Sequence, residues 1–138
     1  MNIYPERPPL AETNKQLTGW LTSVHLNPRE LTDDERRQHD IPDTWTDERG
    51  ETHRQEAWTA SDAFYRHAQP LTSDDYVPLV VAIIRSRYTE DQVEAILNNY
   101  LTEPDRRATE FQQLQAWRQK AKETAKALTS KTETTCTN

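Results

Sequence analysis

Residues 76–101 read YVPLVVAIIRSRYTEDQVEAILNNYL, and they hold the only dense apolar content of the chain. The rest is polar, charged or interrupted by proline. Hydrophobic residues make up 33% of the whole, below the roughly 45–50% of an ordinary globular domain. Ordering a residue costs about 1–2 kcal/mol of conformational entropy, so a small core leaves little surplus. Two outcomes fit: part of the chain is disordered, or a protein partner or a second copy completes the burial.

The apolar stretch divides into two helices. Tyr76, Leu79, Val80, Ile83 and Ile84 recur at helical spacing, with Ser73 placed to cap the first turn. Thr89 and Gln92 form a capping box that opens the second helix, whose stripe is Val93, Ile96, Leu97, Tyr100 and Leu101. Pro104 suits the first turn of a third helix. Its stripe is Ala108, Phe111, Leu114, Ala121, Ala125 and Leu128, with Trp117 alongside. Val81 and Ala82 point away from the first helix's main stripe, and Val81 is a candidate partner contact. The Ser/Thr/Lys-rich segment from Thr129 to Asn138 reads as a disordered tail.

The front half is weaker in pattern. Leu10, Leu17, Leu21 and Val24 suggest a short helix over 10–26, weakened by Gly19. Thr32 and Glu35 form a capping box, so a brief helix starts there and ends before Pro42. Residues 44–58 suit a hairpin in which Asp47 to Gly50 turn and Gly50 is left-handed. Phe64 and Tyr65 are expected to anchor the segment that follows. The resulting expectation is a mainly α fold. An irregular acidic segment, 1–72, with short helices and a β-hairpin, precedes a three-helix unit, 73–128, and a disordered tail, 129–138.

Charge and motif content exclude several functions. Residues 1–75 carry 8 Lys/Arg against 15 Asp/Glu, a net −7, which opposes binding to a nucleic-acid backbone. The apolar run Leu79–Ile84 is far shorter than the roughly 20 residues of a membrane span, and the N-terminus lacks the pattern of a signal peptide. The single cysteine, Cys136, has no partner for an internal disulfide, which favours an intracellular setting. His25, His39, His53 and His67 fall at regular intervals, yet no two are spaced as paired metal ligands. Asp33, Asp34 and Glu35 lack the alternation and glycine of a calcium loop and read as a helix N-terminus. With only Gly19 and Gly50, no phosphate-cradling loop can form. No catalytic residue, metal ligand or cofactor is expected.

Trp20, Trp45 and Trp58 stand in a front half with little other apolar material, so they are candidate partner-binding residues. The last helix carries a basic stripe that includes Arg118 and Lys122. A solvated face explains it most simply, and an acidic partner comes next.

Three segments carry a resemblance. They are Ile84, Arg85 and Tyr88; Glu94, Ala95, Ile96 and Asn98; and Glu110, Phe111, Gln115, Trp117 and Arg118. Together they resemble the C-terminal part of short proteins encoded in phage and prophage tail-fibre modules, and loosely the end of tail-fibre assembly chaperones. The resemblance implies a non-enzymatic, tail-associated accessory or assembly factor. It would be found in the bacterial host cytoplasm or incorporated in a virion. The alternative expectation is a small regulatory or anti-host-defence protein that binds a protein target through its basic last helix.

Overall fold

In the computed structural model, residues 1–136 are described, with side chains as far as Ser130. The strands are β1 (Ala11–Lys15), β2 (Trp20–Glu30), β3 (Thr44–Thr46), β4 (Thr52–Arg54) and β5 (Trp58–His67). The helices are α1 (Asp33–Gln38), α2 (Tyr76–Arg85), α3 (Glu90–Thr102) and α4 (Pro104–Cys136). Three strands form an antiparallel sheet in the order β1-β2-β5, and β3 and β4 form a two-stranded hairpin. The fold is therefore α+β, which corrects the expectation of a mainly α chain with a three-helix unit.

The largest correction lies in residues 10–26. The expected helix is absent, and β1 and β2 take its place. Thr22, Val24 and Leu26 are all buried, a period of two that fits a half-buried strand. Leu17, one of the four residues that suggested a helix, is fully exposed at the turn between the strands. Gln16 N–H donates to the Gly19 carbonyl at 2.8 Å to close that turn, and Gly19 adopts φ 85°. The alternation runs through Thr22, a polar residue that apolar spacing does not register, whereas Leu17 belongs to the turn.

The chain folds as two compact units. The first comprises Met1–Glu12 and Val24–Asp62. Its apolar core is small, with Val24, Leu26, Leu31 and Ala57 buried, and polar groups reinforce it. Thr32 caps α1 through the expected box: its hydroxyl accepts from Glu35 N–H while Glu35 accepts from Thr32 N–H. Arg29 of β2 binds Glu35 through two nitrogens, at 2.8 and 2.9 Å. That pairing, followed by the Thr32 amide, holds the Glu35 carboxyl down at about 2.

The second unit comprises Thr13–Ser23 and Ala63–Asn138. Here α2 buries Leu79, Val80 and Ile83 and packs on α4, which buries Leu114, Trp117, Ala121, Thr124 and Ala125. Fully burying a side chain such as Leu79, Ile83 or Leu114 contributes roughly 1.5–3 kcal/mol. Trp117 is 3% exposed, and its Nε1 donates to the Ile83 carbonyl at 3.1 Å, so the indole is satisfied in the core. The second helix, α3, also packs on α4 but buries no residue fully. Tyr100 stacks on Phe111 at 3.9 Å, whereas Leu101, expected in the stripe, is exposed.

Smaller corrections follow. Thr72, rather than Ser73, provides the capping box, through Asp75, and it opens a 3-10 turn at Ser73–Asp75 ahead of α2. Phe64, expected as an anchor, is 56% exposed, while Tyr65 donates to Asp75 Oδ1 at 2.6 Å. Thr129 and Ser130, placed in the tail by composition, continue α4, and Thr129 is buried with its hydroxyl on the Ala125 carbonyl. The backbone of 131–136 also belongs to α4, and the expected tail beyond it lies outside the described residues.

Candidate functional site

The β3–β4 hairpin of the first unit carries an open surface depression. Its register pairs Thr44 with Arg54, Trp45 with His53 and Thr46 with Thr52. The turn follows the reading of its sequence. Gly50 N–H donates to the Asp47 carbonyl at 3.1 Å, and Gly50 has φ 86°, which glycine adopts without a side-chain clash. Asp47 Oδ1 accepts from the amides of Arg49 and Glu51, both at 2.9 Å, as turn aspartates do.

The base of the hairpin is clamped by a buried arginine. Arg36 of α1 donates from one nitrogen to the carbonyls of Pro42 and Gln55, at 2.8 and 2.7 Å. These carbonyls flank the hairpin, and Gln55 N–H adds a bond to the Asp43 carbonyl at 2.8 Å. The buried guanidinium thus satisfies two carbonyls that no sheet ladder reaches.

Trp45 and His53 stack with ring centroids 4.8 Å apart. The stacking turns His53 so that Nε2 lies 2.7 Å from Asp47 Oδ2. His53, followed by the Glu51 amide, lowers the Asp47 carboxyl below its ordinary value. Trp45, Thr46, Asp47, Glu48, Arg49, Glu51 and His53 together line an open depression of about 630 Å³. Its lining includes one indole, one imidazole, three carboxylates and one guanidinium. Trp45 is 47% exposed, a large fraction for an indole held in a fixed position.

No family model, curated protein or solved structure matches the chain.

A second polar cluster in the first unit is centred on the buried His25 and Asp62 side chains. His25 is 4% exposed, and its Nδ1 lies 2.7 Å from Asp62 Oδ1. Tyr4 Oη and Asn2 Nδ2 each donate to Asp62 Oδ2 at 2.7 Å. Burial pushes the Asp62 carboxyl up, but the hydrogen bonds from His25, Asn2 and Tyr4 outweigh it and hold the group below its ordinary value. Tyr4 is pushed up to about 12, first by burial and then by its bond to Asp62. Glu12 Oε2 stands 3.9 Å from His25 Nε2. This cluster holds no Ser or Cys nucleophile, and it ties the N-terminal segment to β2 and β5.

The four histidines go to separate environments. His25 joins Asp62, His53 joins Asp47, and His39 caps the end of α1. His67, in the second unit, binds the Gln69 carbonyl through Nδ1 and the Thr22 hydroxyl through Nε2. A carbonyl can only accept, so Nδ1 carries a proton, and in the neutral ring Nε2 accepts from Thr22.

The residues singled out from sequence are dispersed. Trp20 lies half-buried on β2, in the second unit. Trp58 begins β5 half-buried, with the Arg7 guanidinium 5.9 Å from its ring. Val81 is 45% exposed on α2. On α4, Arg118 is half-buried and reaches Gln115 at 3.5 Å, while Lys122 is exposed. Of these, Trp45 lines an open depression together with polar groups. Sequence reasoning missed Asp47, Glu51 and His53 as its companions. Their signal was the hairpin register: a turn centred on Asp47–Gly50 places residue 53 opposite residue 45.

Proposed function

We propose that the chain is a non-enzymatic protein-binding factor that presents the Trp45 hairpin to a protein partner. A tail-associated accessory or assembly role in a phage or prophage is the setting that its helical motifs suggest. One observation carries the reading. Trp45 is half exposed yet fixed by its stack on His53, on a hairpin clamped at its base by Arg36. A pre-positioned tryptophan offers large contact area at low entropic cost, which is how interface anchors work.

Around Trp45 the carboxylates of Asp47, Glu48 and Glu51 favour a partner segment bearing Lys or Arg. Such a side chain gains both ion pairing and cation–π attraction at an aromatic wall. The test is affinity capture from the native host with the wild-type chain and with Trp45→Ala. The proposal expects the captured partner to be lost with Trp45→Ala and retained with Leu101→Ala, a change at an exposed residue of α3. Retention by Trp45→Ala would remove the hairpin from the interface.

A further inference from the structure

The hairpin also converges three side chains that ligate metals. One ligand atom each from Asp47, Glu51 and His53 lies within 4.8 Å of the others. We propose that these three residues form a site for a divalent transition metal of the zinc class. The site shares its depression with the partner-binding reading but does not rest on that reading.

Three features carry it. The first is donor chemistry: one imidazole and two carboxylates suit zinc and its neighbours, whereas calcium and magnesium take oxygen-only shells. The second is convergence on a rigid frame. His53 Nε2 and Asp47 Oδ2 already stand 2.7 Å apart, and His53 is held against Trp45. The turn itself is fixed by the Asp47 bonds to Arg49 and Glu51 and by the conformation of Gly50. Ligands on a fixed frame need little ordering when the metal binds. The third is access. The depression is open and carries Asp47, Glu48 and Glu51 against Arg49 alone, so a cation is attracted and water can fill the remaining coordination position.

Binding requires a defined proton movement. In the metal-free hairpin, Nε2 carries a proton and donates it to Asp47. On ligation the Nε2 proton passes to water, Nε2 gives its lone pair to the metal, and Nδ1 carries the ring's one proton, exchanged through water. The opening of the 2.7 Å contact to ligand–ligand spacing is a side-chain movement and leaves the strand register intact.

The experiment is calorimetric titration of the chelator-treated full chain with zinc chloride. One zinc per chain is expected, with affinity weakened about tenfold or more in both His53→Ala and Glu51→Gln, by analogy with the cost of disturbing metal shells. Glu51→Gln keeps the turn, because Asp47 binds the Glu51 amide and not its side chain. Far-ultraviolet circular dichroism checks that both variants fold. A paramagnetic reporter gives a second readout. Copper(II) at this site should quench Trp45 fluorescence, and the part of the quenching that Trp45→Phe removes should also vanish with His53→Ala. Zinc affinity unchanged in His53→Ala, or no saturable binding at millimolar zinc, would overturn the proposal. Equal affinity for calcium would overturn the assigned metal class.

Discussion

Arg36 and Gln55 are joined by a 2.7 Å hydrogen bond from a buried guanidinium to a backbone carbonyl, and the same nitrogen holds Pro42. The pair links the short helix α1 to both feet of the β3–β4 hairpin. The most exposed structural element of the first unit thus depends on one of its few buried charged side chains.

Replacing Arg36 with methionine keeps much of the volume and removes both bonds. Hydrogen bonds to charged groups contribute about 1.5–3 kcal/mol each, so a stability loss of about that size or more is expected in urea unfolding. Amide exchange at Gln55 and Glu51 should accelerate more than at Val24 or Leu26. Uniform acceleration across the unit would show that the clamp is not local.

The two glycines should differ in their tolerance of alanine. Both have positive φ, which costs a side chain roughly 1–2 kcal/mol. At Gly50 nothing lies within 4 Å of an added Cβ, so only that backbone cost applies. At Gly19 the added Cβ would stand 2.8 Å from the His67 carbonyl oxygen, so the backbone must shift as well. Thermal unfolding should show Gly19→Ala as the more damaging change, with Gly50→Asn nearly neutral.

Trp117→Ala should cost about 3–5 kcal/mol, the usual range for truncating a buried aromatic side chain. Trp117→Phe should cost less. Its packing is largely kept, and the Ile83 carbonyl still accepts from the Ser86 hydroxyl at 2.6 Å. Denaturant midpoints for the two variants check the order.

Stability should fall at both ends of the pH scale for separate reasons. The Asp62 carboxyl is lowered in the fold, so its contribution is present above the ordinary carboxylate range and is lost as pH falls through that lowered value. Asp62→Asn should flatten the acid limb of the stability curve. Tyr4 and Tyr65 are both raised to about 12, chiefly by burial and then by Asp62 and Asp75 respectively. Their contribution is complete below about pH 10, the value in an unfolded chain, and is lost as pH rises toward 12. Phenolate absorbance should show two tyrosines titrating late, and Tyr4→Phe with Tyr65→Phe should abolish the late phase.

Sequence alone determined the features whose cause is local. The spacing of Leu79, Val80 and Ile83 dictated α2, and the boxes at Thr32 and Thr89 fixed the starts of α1 and α3. The turn at Asp47–Gly50 set the hairpin, because its hydrogen bonds join residues within four positions of one another. Only the tertiary structure decided the three-stranded sheet and the polar clusters. Gln16 to Gly19 turns the chain so that Thr22, Val24 and Leu26 share one buried row, and no helical template registers a row that starts with threonine. His25 and Asp62 lie 37 positions apart, and Arg36 and Gln55 lie 19 apart. Strand pairing and burial bring such residues together, and neither is written into the short-range pattern of the chain.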